Sequence, residues 1–151
     1  MCLHMNILVS SCLLGANCRY NGGGELREEL VALSKEHHLI PVCPEIYGGL
    51  ATPRDPAEII GDKVITCNGA DVTAQYEKGA EEVVKLAKLF DCKYAVMKER
   101  SPSCGYGKIY DGSFAHVVID GNGRASDLLS QNGVQVFGES RIGELAALLG
   151  N

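Results

Sequence analysis

Short apolar runs alternate with helical periodicity along this chain, and that alternation limits its fold more than any other feature. Residues 6–11 read as a buried strand around Ile7, Leu8 and Val9, after which Leu26, Leu30, Leu33 and His37 recur at helical spacing. Residues 39–42 form a second apolar run. Tyr76, Ala80, Val83, Ala87 and Phe90 follow one another at helical intervals, predicting a helix with Asp71 as its capping residue. Residues 93–97 read as another core strand, and 63–67 as a further one. A hairpin is expected between 109–110 and 116–119, across Asp111, Gly112 and Ser113. A helix over 125–131, a strand over 134–137 and a helix over 142–149 complete the pattern, while 46–61, with Gly48, Gly49, Pro53 and Pro56, reads as an irregular loop. Strands alternating with helices imply an α/β fold: a single three-layer domain over 1–151 with a largely parallel, Rossmann-like sheet and a small hairpin.

The seven cysteines need an explanation that stability does not supply. A chain of 151 residues, 46% of them hydrophobic, buries roughly 70% of its unfolded surface without a covalent staple. No apolar run approaches the ~20 residues of a membrane span, and the first ten residues lack the apolar segment of a signal peptide. The expected place is therefore the cytoplasm, where disulfides are rarely kept, and the odd count also disfavours a closed disulfide framework. Net charge is −5 with no basic block, which argues against nucleic-acid binding through phosphate contacts, and the lack of an apolar span leaves no membrane partner expected.

Cys12, Cys43 and Cys104 stand apart from the others because each follows a predicted strand. Open α/β sheets bind ligands outside the carboxyl ends of their strands, so three thiols distant in sequence are brought within reach of one spot. Cys67 and Cys92 flank core segments and read as small buried hydrophobes; Cys2 is given no role. Pro44 makes Cys43-Pro44-Glu45 a rigid turn that sets a thiol beside a carboxylate able to work as acid or base. Alone, Glu45 would read as a solvated carboxylate and Arg54 as half of a surface ion pair. Three thiolates suit zinc or an iron–sulfur cluster. Zinc sites of cysteine usually show paired C-x₂₋₄-C knuckles, and the nearest spacing here is Cys12-x₅-Cys18, so spacing leans toward iron–sulfur.

Five ordered motifs carry a family resemblance: Cys12-Leu13-Leu14-Gly15, Cys18-Arg19-Tyr20-Asn21-Gly22, Cys43-Pro44-Glu45, Pro53-Arg54-Asp55-Pro56 and Ser101-Pro102-Ser103-Cys104-Gly105. Together they resemble the small bacterial family of thiouracil and related thiopyrimidine desulfidases, over about residues 7–140. The resemblance implies a 4Fe–4S cluster on Cys12, Cys43 and Cys104 with one open iron, and non-redox removal of sulfur from a thiolated pyrimidine. It places the acid–base carboxylate on Glu45 and an active-site serine on Ser101. Cys18 is a further candidate metal ligand, and Arg19, Arg54 and Ser103 are candidate substrate contacts. Asn21 stands where the family usually has Asp.

Two other classes compete with this expectation. One is a cluster- or metal-bearing sensor of sulfide or redox state without catalysis, and the other a cofactor-free nucleotide-binding α/β module. The partner expected is a small thiopyrimidine rather than intact tRNA, with the sulfide acceptor unknown.

Overall fold

The computed structural model describes residues 4–150. Four strands, β1 (Asn6–Ser10), β2 (His38–Val42), β5 (Tyr94–Met97) and β8 (Gln135–Gly138), pair in the order β2-β1-β5-β8, all parallel. Ile7, Leu8 and Val9 are wholly buried because the sheet is covered on both faces, which is why β1 reads as a continuous apolar run instead of an alternating one. Each such aliphatic contributes about 1.5–3 kcal/mol by leaving water. Successive side chains still separate by face: Leu8, Ala95 and Met97 pack with α3 (Thr73–Leu89) and α4 (Arg124–Gln131), while Ile7, Val9 and Val96 pack with α1 (Glu28–Leu33) and α5 (Ile142–Leu148). The architecture is three-layered α/β, as the alternation predicts.

Two antiparallel hairpins accompany the sheet: β3 (Ala57–Ile60) with β4 (Lys63–Thr66), and β6 (Lys108–Tyr110) with β7 (Val118–Asp120). The first corrects the expected irregular loop over 46–61. Within that span α2 (Pro44–Tyr47) forms a single turn, and residues 57–60 make a strand because their backbone pairs with β4, burying Ala57 and Glu58. The first predicted helix is also shorter than its spacing suggested. Glu25 N donates to Cys12 O and Arg27 N to Leu13 O, which holds the approach to α1 extended and leaves Leu26 half exposed. The N-cap of α3 is Val72 and not Asp71; Asp71 stands one residue earlier, and its carboxylate accepts from Thr73 N at 3.0 Å. No helix among the described residues is long and apolar enough to cross a membrane.

Strand order reverses at β1, with β2 on one side and β5 on the other. Ligands bind at such reversals in open parallel sheets. Cys12 follows β1, Cys43 follows β2 and the loop bearing Cys104 follows β5, so all three lie at this edge.

Candidate functional site

Each thiol is fixed by a different local device. Cys12 sits in a short 3₁₀ turn, Ser11–Leu14, that ends on Gly15 in left-handed backbone. Cys43 is the N-cap of α2, with Pro44 at the first helical position, where its missing N–H costs nothing. Cys104 lies in a loop anchored by the start of α4: Gly123 N donates to Gly105 O at 2.7 Å and Ala125 N to Ser103 O at 2.8 Å. The buried Ser126 hydroxyl donates to Cys104 O at 2.6 Å. Helix N-termini have unpaired N–H groups, and here the loop's carbonyls accept from them.

The thiols sense one another. Burial pushes the Cys12 thiol up to about 11, with Lys98 opposing the rise and Cys43 adding to it. Burial likewise raises Cys18 to about 12, helped by the charge of Cys43 and by a hydrogen bond to it. Burial raises Cys104 further, against the Ser10 and Ser103 hydroxyls, with Cys12 and Glu45 adding to the effect. Four thiols, Cys12, Cys18, Cys43 and Cys104, therefore form one electrostatic group. The structure thus places Cys18 beside Cys43, whose Sγ is also 3.9 Å from Cys18 O. Cys92 is a buried core residue, as expected, whereas Cys67 is exposed.

Glu45 is held from all sides. Arg54 Nε donates to its Oε1 at 2.9 Å, in an ion pair whose side chains are 9% and 12% exposed. Ser103 Oγ is 2.8 Å and Ser101 Oγ 3.4 Å from its Oε2, and the two hydroxyls are 2.9 Å apart. Tyr76 lies beside the carboxylate, and its phenol is held well above the ordinary range by burial and then by the Glu45 charge. Every contact comes from a donor, an arrangement that an acceptor-only carboxylate satisfies. Packing allows this closeness: a Cβ on Gly79 of α3 would lie 1.9 Å from Pro44 O, so only glycine lets α3, which bears Tyr76, approach the turn that bears Glu45.

A cavity of about 420 Å³ opens beside this carboxylate. Glu45, Ser101, Arg19, Arg54 and Tyr76 belong to its wall, and the thiols do not. Ser103 Oγ bridges the two, touching Glu45 Oε2 at 2.8 Å and Cys104 Sγ at 3.6 Å. Arg54 lies in the wall but its guanidinium is committed: besides Glu45 it donates to Ala51 O, Thr52 Oγ1 and Cys18 O. Deeper in the wall, Glu139 accepts from Arg27, Lys98 and the Glu99 N–H, which balances a buried charge.

The donor set suits a soft, polynuclear group. No group of three His, Cys, Asp or Glu side chains among the described residues is arranged for one metal ion. Thiolates around a single zinc must all lie about 2.3 Å from it, whereas an iron–sulfur cubane offers separate corners to separate loops. Thiols from three strand ends, with the Ser103 hydroxyl 3.6 Å from the Cys104 sulfur, are donors of the kind such a cluster takes.

Sequence reasoning missed Tyr76, Lys98, Glu139, Glu58, Tyr110 and His116 in the wall. The one signal available was the hydroxyl of Tyr76 in an otherwise apolar helical stripe.

Comparison with known proteins places the chain in a family. A family profile described as 2-thiouracil desulfurase matches residues 7–141. A Bacillus subtilis (strain 168) relative called uncharacterized protein YbbK is 42% identical over 149 residues, covering 92% of this chain and 99% of its own. A solved structure described as the [4Fe-4S]-dependent thiouracil desulfidase TudS is similar at a TM-score of 0.91 and 44% identity, over 97% of this chain and 98% of that one.

Proposed function

Because the chain belongs to the 2-thiouracil desulfurase family, we propose that it removes sulfur from a thiolated pyrimidine at the edge shared by Cys12, Cys43, Cys104 and Glu45. The observation that carries this reading is the Ser103 hydroxyl, which joins the donor-ringed Glu45 to the buried Cys104 sulfur. In this reading residues 1–151 act as one desulfidase unit. Cys12, Cys43 and Cys104 hold a 4Fe–4S cluster and leave one iron without a protein ligand. When bound, such a cluster supplies a thiophilic Lewis acid that polarises a C–S bond.

The chain's own residues do the rest. Glu45 takes a proton from the water that adds to the ring carbon. Ser101 and Ser103, 2.9 Å apart, connect that carboxylate to the substrate side of the cavity and share in moving the proton. Arg54 and Ser103 fix the carboxylate's orientation, and a fixed acid–base group is what proton transfer at a set distance requires. Thiocarbonyl plus water gives carbonyl plus hydrogen sulfide, so no net electrons move. Cys18, beside Cys43, is kept outside the ligand set.

Charge sets the substrate's size. The chain is acidic overall, and among the described residues of the cavity wall Arg19 and Arg100 have no ion-pair partner. Two cations can meet one phosphate but cannot track a polynucleotide. Comparing kcat/KM on 2-thiouracil, 4-thiouridine 5′-monophosphate and thiolated tRNA tests this. The small substrates are expected to turn over faster; faster turnover of tRNA at physiological salt would contradict the reading.

A further inference from the structure

The two hairpins meet at Glu58, a buried acid on β3 that the chemistry above leaves unused. Its Oε1 accepts from Gly112 N at 3.0 Å and from Phe114 N at 3.1 Å, both in the loop joining β6 to β7. That loop is conformationally costly. Gly112 has φ +94°, and Phe114 and His116 have φ +58° and +59°, where side chains are disfavoured. Such residues persist when their surroundings over-determine them, and they gather at functional sites. A charged acceptor shared by two N–H groups provides that determination, since hydrogen bonds to ionised groups are the strong ones.

The loop's conformation has a consequence in the cavity. Tyr110 and His116 pack edge to face, 5.7 Å apart at 79°, and both belong to its wall. Glu58 is in that wall as well. Exposure grades along the site, from the buried Ser103 and Cys104 to the exposed Arg100 and His116. With His116 exposed and Tyr110 half-buried, the aromatic pair stands toward the solvent side of the wall, which no thiol lines. The eight heavy atoms of thiouracil, at no more than the ~30 Å³ of a liquid water each, fill less than about 240 Å³. A cavity of about 420 Å³ leaves room beyond the ring.

We propose that Glu58 is a positioning residue that latches the Asp111–His116 loop, and that the Tyr110–His116 pair so placed is a specificity wall for the substituent a thiopyrimidine carries outside its ring. This rests on the desulfidase reading for its substrate, but the latch stands on the hydrogen bonds alone. Glu58→Ala removes the acceptor and frees the loop. His116→Ala removes part of the wall and leaves the latch.

The test combines hydrogen exchange with kinetics on cluster-loaded protein at matched iron content. Glu58→Ala should speed amide exchange over residues 111–117 by at least about tenfold. It should raise KM for 4-thiouridine 5′-monophosphate by about tenfold, with kcat changed by less than about threefold and free 2-thiouracil little affected, since the lost contact is uniform binding. His116→Ala should give the same selective rise in KM without faster exchange at Gly112 and Phe114. Glu58→Gln keeps an acceptor oxygen and should retain most of the protection, which guards against a variant that fails to fold. Unchanged exchange in Glu58→Ala would overturn the latch. An unchanged KM in His116→Ala, or an equal rise on the free base, would overturn the wall. If the wild type turned over neither substrate, the desulfidase reading would fail first, and hydrogen exchange would still decide the latch.

Discussion

Replacing Cys12, Cys43 or Cys104 with alanine should each bring iron content from about four per chain to near zero after anaerobic reconstitution, with sulfide falling in parallel. In the proposed three-ligand set each substitution removes one of only three anchors, each carried by a different strand end. Cys104 is the strictest case. It is buried, and burial disfavours its charged form, so a bound metal is what would hold it as a thiolate. Cys67→Ala and Cys92→Ala should leave iron content unchanged, the second costing packing alone. Cys18→Ala is the informative control because Cys18 lies against Cys43. Retained iron there supports the three-ligand set, and lost iron would replace it with a set that includes Cys18.

Glu45→Gln should assemble its cluster normally and lose kcat by about 10²–10⁴, the usual worth of general acid–base catalysis. KM should move far less, because a proton transfer belongs to the transition state. The amide keeps an oxygen that can accept from Ser103 but cannot take up a proton. Arg54 loses its ion-pair partner in this variant, and an unpaired buried charge is destabilising by about 3–5 kcal/mol in other proteins. Here Arg54 retains its bonds to Ala51, Thr52 and Cys18, which moderates that loss. Single-turnover rates at matched iron content separate chemistry from assembly. Equal rates in wild type and variant would leave Glu45 a structural partner of Arg54 and the proton relay without an owner.

Periodicity served the fold well because burial on both sheet faces writes itself into sequence as unbroken apolar runs. Residues 6–10, 38–42, 94–97 and 135–138 are all strands, and the Tyr76 stripe is a long helix. The misreading at 46–61 has a physical source: Gly48, Gly49, Pro53 and Pro56 read as loop formers, while β3 gains its order from pairing with β4, a contact that local pattern does not record. Leu26 misled for a related reason, since its spacing is helical but hydrogen bonds to the Cys12 turn hold the neighbouring backbone extended.

At the site, residues with their own chemistry were legible one by one, and the topology supplies their meeting at one edge. Contacts between segments were not legible. Nothing in the sequence pairs Glu45 with Ser103, 58 positions away, or assigns Arg54 to Glu45 instead of to substrate. Tyr76 reads as core because its position is core; only the hydroxyl's neighbour makes it part of the site. Glu58 was lost inside the supposed loop.

The central claim is hydrolytic desulfuration that depends on a cluster bound by this chain. Its most direct test is anaerobic incubation of reconstituted and cluster-free protein with 2-thiouracil, without added reductant, while uracil and sulfide are both counted. The account predicts uracil and sulfide in equal amounts from the loaded protein and neither from the cluster-free one. A brown, iron-loaded protein that releases no uracil, or that does so only with a reductant, would contradict it.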